Sequence, residues 1–289
     1  MCRLYAFRAS EPTKVECSLI YAQNALLQQS RRDEMGDAHP DGWGIGYYVG
    51  SKPVLVRREF SAFEDLYFAE TAEKIYSKTV VAHVRRASVG KPLLVNTHPF
   101  SVGVWTFAHN GTLWGFEELE ERIVAETDPQ ILSHRRGTTD SEACFLWLLS
   151  RMKQAGISTD ERCTDLERLS QVVCDAVTEL AQRSQSTNPE EEEQLNWIVT
   201  DGVTMVATRW NRTLHWVFRE NIRDCEICGI PHVNHDQDIG YNAVIIASEQ
   251  ISQEDWQQIP NFSILTLDNN FGIEIRPIGQ SQVVEENIS

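Results

Sequence analysis

Positive charge is scarce in this 289-residue chain, which carries 26 lysines and arginines against 42 aspartates and glutamates, for a formal net charge of -16. A surface with this excess of negative charge repels nucleic-acid phosphates and anionic lipid headgroups, and no run of basic residues overrides it. The expected partners are therefore small molecules and soluble proteins, rather than nucleic acids or membranes.

Long apolar segments are also lacking. No stretch reaches the roughly 18 to 20 apolar residues of a membrane span, and the start, MCRLYAFRAS, lacks the apolar region of a secretion signal. The seven cysteines are odd in number and scattered, which is typical of reduced thiols rather than a disulfide framework. These features predict a cytoplasmic protein. Its 42% hydrophobic content is enough for one large domain, expected to cover residues 2–289.

Strand and helix patterns come in blocks rather than in strict alternation. They predict strands near 3–7, 44–49, 54–60, 79–87 and 102–111, helices near 18–29, 63–76, 117–126, 141–153 and 166–181, and further strands after residue 194. A turn at Asn211 and Arg212 separates two of the later strands. The pattern favours an α+β fold with antiparallel sheets.

Cys2 directly follows the initiator Met1, and a small second residue allows removal of the Met. The mature chain is then expected to start at Cys2, so that one residue carries both a thiol and a free α-amino group. The reference pKa of that amine is about 7.7 to 8.0, which suits a general base for the thiol without a separate histidine. A cysteine in second position is a weak signal by itself. Other motifs must supply the rest of a site.

Such motifs follow in order: DGWGIGYY (41–48), AHVRRASVG (82–90), NTHPF (96–100), AHNGTL (108–113), TTDSE (138–142) and ASEQISQEDWQQIP (247–260). With Cys2 they resemble the class II glutamine amidotransferase domain, an N-terminal-nucleophile hydrolase, in particular its stand-alone bacterial members without a synthetase domain. The resemblance covers nearly the whole chain. It implies a four-layer αββα sandwich, with two antiparallel sheets between helices. It also implies attack of the Cys2 thiol on a γ-glutamyl amide, which yields glutamate and ammonia or an amine through a thioester.

Asn110 and Gly111 are the candidates for the oxyanion hole. Acyl transfer needs hydrogen-bond donors at the developing oxyanion, and Asn110 offers a side-chain NH2 while Gly111 offers a backbone N–H with no Cβ in the way. The resemblance implies the same role for this pair. Taken alone, Asn-Gly is a common dipeptide of tight turns.

The other end of a glutamine substrate carries an α-carboxylate and an α-ammonium group. The resemblance implies that Arg85 pairs with the carboxylate, that Asp140 receives the ammonium, and that the Ser88 hydroxyl assists at the carboxylate. Ser88 lies in a segment, 87–91, that resembles a flexible lid. From the residues alone, the alternative for Arg85 is a surface charge on a strand. For Asp140 the residues alone favour a helix N-cap, a role that is compatible with binding the ammonium.

Three histidines, His83, His98 and His109, lie within these motifs. Since the α-amine serves as the base, we expect them to support the site through hydrogen bonds to the backbone. Asp41 and Trp43 have two open interpretations. They either shape the wall beside the nucleophile, or are a turn residue and a core aromatic.

One segment departs from the resemblance: CEICGIPHVNH (225–235), where Cys225, Cys228, His232 and His235 have metal-like spacing. C-x2-C is a zinc-ligand signature, but the histidine half is tighter than in the usual finger, and the glutaminase chemistry needs no cofactor. The sequence therefore favours a loop of reduced thiols near the pocket entrance over a structural zinc site.

Two questions stay open from the sequence. The leaving group is either ammonia, passed to an ammonia-accepting partner subunit, or the amine of a γ-glutamyl compound that is simply hydrolysed. The alternative to an enzyme is a catalytically silent ligand-binding or regulatory subunit with the same fold. An intact set of Cys2, Arg85, Asn110, Gly111 and Asp140 argues against the silent subunit.

Overall fold

The computed structural model describes residues 2–220, 225, 227–233 and 240–279. None of the helices in these ranges is long and apolar enough to cross a membrane. The helices are α1 (Leu26–Arg31), α2 (Leu66–Lys74), α3 (Phe116–Glu126), α4 (Pro129–Leu132), α5 (Asp140–Gln154) and α6 (Leu166–Thr187). The strands are β1 (Arg3–Lys14), β2 (Trp43–Val49), β3 (Lys52–Arg58), β4 (Tyr76–Val84), β5 (Phe100–Val102), β6 (Trp105–Thr112), β7 (Gln194–Thr200), β8 (Met205–Arg209), β9 (His215–Glu220), β10 (Asn242–Ala247), β11 (Gln257–Gln258), β12 (Ser263–Leu267) and β13 (Ile273–Pro277).

These strands form two antiparallel sheets. The first has seven strands in the order β11-β9-β10-β1-β4-β2-β3, and the second has six in the order β13-β12-β8-β7-β6-β5. In the middle of the first sheet, β1 pairs with β10 on one side and with β4 on the other, where Arg3 lies opposite Val84. Cys2 immediately precedes β1, so this register places it beside the residues that follow β4.

The side chains of β1 show how the layers stack. Leu4 belongs to an apolar cluster between the two sheets that includes Ile198 of β7. Tyr5 and Phe7 belong to a different cluster, in which the outer face of the first sheet packs against Phe68 of α2. Successive residues of a strand point to opposite faces, so one strand contributes to two cores.

The outer face of the second sheet packs against the remaining helices. Phe107 of β6 stacks on Phe145 of α5 at 5.1 Å between ring centroids, and Val177 of α6 lies in the same buried cluster. The layers therefore run helix, sheet, sheet, helix. The predicted four-layer αββα sandwich is confirmed.

The helix predicted near 18–29 is instead two short pieces, a π-helical turn over Cys17–Tyr21 and then α1. Ala22 and Ala25, between them, have extended backbone with ψ of 151° and 157°. Asn24 lies in this break, and its side chain donates to Glu249 at 3.1 Å and to the Gln250 carbonyl at 2.9 Å. A contact with the far end of the chain therefore replaces the local helix.

The predicted turn at Asn211 and Arg212 connects strands of different sheets. Asn211 has a φ of 63°, which asparagine tolerates better than most residues. Before it, β8 pairs with β7 and β12 in the second sheet; after it, β9 pairs with β10 in the first. The turn is therefore a crossover and not a hairpin.

Candidate active site

Cys2 lies at the start of β1 and is 9% exposed. Its Sγ is 3.4 Å from the backbone nitrogen of Arg86, which donates to it, and 3.4 Å from the carbonyl oxygen of the same residue. Burial raises the pKa of the Cys2 thiol, while the Arg86 N–H and the Arg85 guanidinium act in the opposite direction with less effect. The resting group is therefore a neutral thiol, which needs a base in order to react.

A buried ion cluster holds the backbone of Cys2. The Arg3 guanidinium donates to the Cys2 carbonyl oxygen at 3.0 Å, and it pairs with Glu249 at 2.5 Å and with Asp33 at 2.6 Å. All three side chains are almost fully buried. Removing one partner of a buried pair leaves an uncompensated charge, so the cluster fixes the position of Cys2 strongly.

His39 completes this ion cluster. Its Nε2 is 3.1 Å from the Asp33 carboxylate. Burial, followed by the nearby Arg3 charge, lowers the pKa of His39 to about 4. His39 is therefore neutral near pH 7, with its Nε2–H donating to Asp33.

Asn110 reaches β1 from the other sheet. Its Nδ2 donates to the Ser248 hydroxyl at 3.1 Å, and the same hydroxyl accepts the N–H of Leu4 at 3.0 Å. This contact holds the Asn110 amide near the start of β1. One of its two side-chain N–H donors is engaged by Ser248.

Gly111 follows Asn110 within β6, where it pairs with Leu195 of β7. The two residues therefore belong to a strand, and the alternative of a tight turn is wrong. A Cβ on Gly111 would lie 1.7 Å from the carbonyl oxygen of Gln194. The neighbouring strand thus excludes any side chain at this position.

Arg85 is 3% exposed, so the alternative of a surface charge is wrong. Its guanidinium donates to three carbonyl oxygens at 2.8 to 3.1 Å, those of Val89, Gly90 and Lys91. The segment 87–91 therefore curls around the Arg85 side chain. Burial lowers the pKa of this guanidinium without removing its charge near pH 7.

Two further contacts hold the same segment. The Asp41 carboxylate accepts the N–H of Ala87 at 2.8 Å, and the exposed Ser88 hydroxyl accepts a hydrogen bond from Thr112 at 2.8 Å. Asp41 is thus a support for the segment. Trp43 is fully buried, and its Nε1 donates to the Asp65 carboxylate at 3.0 Å. It is therefore a core aromatic, and the alternative that it shapes the wall beside the nucleophile is wrong.

Asp140 is the first residue of α5 and not its N-cap. Thr139 is the cap, because its hydroxyl accepts the N–H of Glu142 at 3.2 Å. The Asp140 carboxylate accepts the N–H groups of Leu113 at 2.9 Å and Ser141 at 2.8 Å. It is 3% exposed and lies against the chain that leaves β6.

Asn96 links segment 87–91 to the TTDSE motif. Its Oδ1 accepts the N–H of Thr138 at 2.8 Å, and its Nδ2 donates to the carbonyl of Lys91 at 3.0 Å. NTHPF therefore joins the end of segment 87–91 to the entrance of α5. The motifs that are distant in sequence form one hydrogen-bonded unit.

The three histidines lie beneath this unit. His109 is 2.7 Å from the Gln194 carbonyl through Nε2 and 2.9 Å from the Ser141 hydroxyl through Nδ1. His83 contacts the His109 carbonyl at 3.2 Å and lies 4.2 Å from the His98 ring, centroid to centroid. Burial lowers the pKa of all three, that of His83 to about 3. They are neutral at pH 7. His83 and His109 contact backbone carbonyls, as we expected, but both ring nitrogens of His98 are buried without a hydrogen-bond partner among the described residues, so the expected backbone hydrogen bond is not found for His98.

Cys2, Ser88 and Gly111 line one cleft of ≈ 270 Å³. The other lining residues are Arg86, Ala87, Thr112, Trp114, Gln194 and Arg212. Arg85 and Asp140 lie close enough to influence the Cys2 thiol electrostatically, but they are not part of the cleft lining. The sequence did not indicate Trp114, Gln194 or Arg212, since none of them belongs to a motif.

The predicted metal residues lie elsewhere, beyond the opposite end of β1. Cys225, Cys228 and His232 meet there, and Cys17 joins them as a fourth group. His235 lies outside the described residues. No local pattern indicated Cys17, because it is 215 residues from His232.

Comparisons with known proteins show the family of this chain. The sequence model of the class-II glutamine amidotransferases matches residues 1–272. A probable glutamine amidotransferase of Saccharomyces cerevisiae, DUG3, is 25% identical over 92% of this chain and 82% of its own length. A gamma-glutamyl-hercynylcysteine sulfoxide hydrolase of Mycobacterium tuberculosis is 38% identical over 84 residues, 29% of this chain and 36% of its own.

A solved structure shares the fold. It is a glutamine aminotransferase class-II domain protein from Silicibacter pomeroyi, with a TM-score of 0.61 and 20% identity over 96% of this chain and 100% of its own. The family match spans most of the sequence, and the fold agrees with it. The chain belongs to the class-II glutamine amidotransferases.

Proposed function

We propose that this protein cleaves γ-glutamyl amides with Cys2 as the nucleophile. The observation that carries the proposal is the shared cleft, in which the Cys2 thiol lies with Gly111 of β6 and Ser88 of segment 87–91. A nucleophile beside fixed hydrogen-bond donors is what acyl transfer requires. We further propose that the protein acts as one domain in the cytoplasm, where its seven free cysteines stay reduced.

The proposed reaction begins once removal of Met1 has freed the α-amine of Cys2. The amine takes the thiol proton, and Sγ forms a bond to the γ-carbonyl carbon. The resulting oxyanion accepts hydrogen bonds from the Asn110 side chain and the Gly111 N–H. Cleavage of the C–N bond follows, with the proton passing from the amine to the leaving group. Water, activated by the same amine, then opens the thioester to glutamate.

Arg85 and Asp140 are proposed to bind the α-carboxylate and the α-ammonium of the γ-glutamyl group, with Ser88 assisting at the carboxylate. The Asp140 carboxylate accepts the N–H groups of Leu113 and Ser141, and its Oδ1 also accepts the Ser141 hydroxyl at 3.3 Å, so Oδ2 keeps the further lone pair for the ammonium. The Arg85 guanidinium donates to carbonyls of the segment that covers it. When the substrate carboxylate binds, it replaces some of the hydrogen bonds between Arg85 and these carbonyls. Substrate entry is therefore coupled to movement of segment 87–91.

Arg212 favours a leaving group with negative charge. It lines the cleft that holds the Cys2 thiol, and its Nε is buried without a hydrogen-bond partner among the described residues. A buried unpaired donor on a cation is costly unless a ligand satisfies it. A γ-glutamyl compound with a carboxylate beyond the scissile amide would place a negative charge beside this guanidinium. The name of the hydrolase from M. tuberculosis agrees with γ-glutamyl hydrolysis as the outcome.

The second candidate is glutamine cleavage with ammonia passed to an acceptor subunit, which the name of the S. cerevisiae relative favours. A turnover screen separates the two. Glutamate release is measured from glutamine, from glutathione and from γ-glutamyl dipeptides with free or amidated carboxylates, after mass spectrometry has verified an N-terminal cysteine. We expect the free-carboxylate peptides to have the highest kcat/KM, and Arg212→Gln to remove that advantage. No release from any substrate would favour the silent subunit.

A further inference from the structure

Three thiols and one imidazole meet beyond the C-terminal end of β1. The Sγ atoms of Cys17, Cys225 and Cys228 and a ring nitrogen of His232 all lie within 4.8 Å of one another. His232 Nε2 is 3.1 Å from the sulfur of Cys228 and 3.5 Å from that of Cys17. Tetrahedral zinc, with bonds of about 2.3 Å to sulfur and 2.0 to 2.1 Å to nitrogen, holds its ligand atoms roughly 3.5 to 3.8 Å apart. The distance from His232 to Cys17 matches this spacing, the distance from His232 to Cys228 is somewhat shorter, and the remaining pairs lie within 4.8 Å.

The His232 ring is oriented as a metal ligand. Its Nδ1 lies 3.1 Å from the backbone carbonyl of Lys14, an acceptor that fixes the proton on Nδ1. The lone pair of Nε2 is then free and directed toward the sulfurs. Metal-binding histidines are commonly held in this way by a hydrogen bond from the second ring nitrogen.

Backbone hydrogen bonds tie Cys225 to the turn that follows Cys228. The Gly229 N–H donates to the Cys225 carbonyl at 2.7 Å, and the Cys225 N–H donates to the Ile230 carbonyl at 3.1 Å. Gly229 has a φ of 68°, a left-handed conformation that glycine adopts at little cost. The turn therefore sets the positions of Cys225 and Cys228 relative to each other.

The turn is attached to β1 by backbone contacts. Thr13 forms an isolated antiparallel bridge with Val233, and the Lys14 N–H donates to the His232 carbonyl at 3.1 Å. Cys17 comes from the π-helical turn that follows β1. Two distant parts of the chain thus bring their ligand groups to one point through contacts that need no metal.

We propose that Cys17, Cys225, Cys228 and His232 bind a structural zinc ion as a closed Cys3His site. Three thiolates and one imidazole fill the four positions of tetrahedral zinc, which leaves none open for a substrate. The adjacent cavity, lined in part by Cys17, Cys225 and His232, measures only ≈ 40 Å³. Catalytic and ligand pockets are typically about 300 to 1,000 Å³, so the role of the ion is structural.

Binding releases the thiol protons to solvent, because zinc binds the thiolate form. Its effect is to fasten Cys225, Cys228 and His232, together with the π-helical turn that holds Cys17, to the end of β1. The site shares no residue with the cleft at Cys2, so it goes beyond the proposed function and does not depend on it. A Cys2→Ala variant should bind zinc as the wild type does.

The test uses the full chain, purified without an affinity tag under reducing conditions, and measures bound metals by mass spectrometry. We expect about one zinc per chain in the wild type and less than about 0.2 in Cys17→Ser and in His232→Gln. Cys163→Ser is the matched control, since Cys163 lies outside the cluster, and it should keep its zinc. Cys17→Ser is the most informative variant, because its position is far from the C-x2-C motif.

A second measurement does not depend on the variants folding. Wild-type protein stripped by a chelator should lose thermal stability and regain it with one equivalent of Zn²⁺ but not with Mg²⁺. Cobalt in place of zinc should give the visible absorption of tetrahedral thiolate coordination. The proposal is overturned if stripped protein takes up no zinc, if Cys17→Ser retains one zinc per chain, or if two of the three cysteines form a disulfide in protein from reducing cytoplasm.

Discussion

The strand β1 has a cysteine near each of its ends, and the two differ in their surroundings rather than in their burial. Cys2 is 9% exposed and Cys17 is 2% exposed, and burial raises the pKa of both thiols. Cys2 has a cleft in front of it and an Arg86 N–H at 3.4 Å. Cys17 faces two further sulfurs and an imidazole. One thiol is placed to attack a ligand, and the other is placed to share an ion with its neighbours.

Removal of the Cys2 thiol should have the strongest effect on activity. Cys2→Ala should lower glutamate release by more than about 1,000-fold, because no other group supplies the nucleophile. Its thermal stability should stay within a few degrees of the wild type. Cys163→Ser should leave both properties unchanged. Full activity in a chain that retains Met1, or in Cys2→Ala, would disprove the N-terminal nucleophile.

The next effect concerns the proposed oxyanion-hole donors. Asn110→Ala should lower kcat by about 100- to 1,000-fold with KM little changed, since an oxyanion-hole donor acts mainly in the transition state. Asn196→Ala is a matched control: Asn196 lies opposite Asn110 on β7, is equally buried, and donates to the Thr213 carbonyl instead. It should lower stability and leave kcat nearly intact. A raised KM at constant kcat in Asn110→Ala would contradict the assignment.

Arg85→Ala and Asp140→Ala should weaken substrate binding instead. Each leaves one charge of the γ-glutamyl group unpaired, at a cost of about 2 to 5 kcal/mol for a desolvated pair. Arg85→Ala also removes three hydrogen bonds to segment 87–91, so proteolysis within that segment should become faster. KM values and limited proteolysis measure the two effects. Unchanged KM in both variants would place the α-amino acid pocket elsewhere.

A labelling experiment tests the difference between the two ends directly. A diazo-ketone analogue of glutamine should alkylate Cys2, which faces the cleft, and spare Cys144 and Cys174 on buried helix faces. Burial raises the pKa of Cys174 to about 11, which keeps it a thiol. Peptide mapping reads the result. A label chiefly on Cys225 or Cys228 would move the proposed active site to the thiol cluster.

The sequence predicted more of the Cys2 end than of the Cys17 end, for a physical reason. Motifs in family order indicated the nucleophile and its likeness to known enzymes, and alternation indicated the sheets. The ion cluster of Arg3 with Glu249 and the contact of Cys17 with His232 join residues 246 and 215 positions apart. Neither contact leaves a local pattern in the sequence, because tertiary packing brings each pair of residues together.

The break in the predicted helix near 18–29 has the same origin. The side chain of Asn24 donates to Glu249 and to the Gln250 carbonyl, and the chain around it is extended instead of helical. Helix propensity is a weak preference that such contacts override. The start of α5 was easier to predict, because a polar capping residue and an apolar helix face are local signals, although the cap is Thr139 and not Asp140 as predicted.

The smallest expected effect is on stability in acid and concerns His39, at the Cys2 end. Its pKa is about 4 in the folded protein, against a reference of about 6.5 when unfolded. Between these values the unfolded chain binds more protons, so the free energy of unfolding falls as pH is lowered from 6.5 to 4, by at most about 3 kcal/mol for this residue. Denaturant titrations of His39→Gln should show a flatter pH dependence with its zinc content unchanged. An equally steep dependence in the variant would mean that His39 is not the group that titrates.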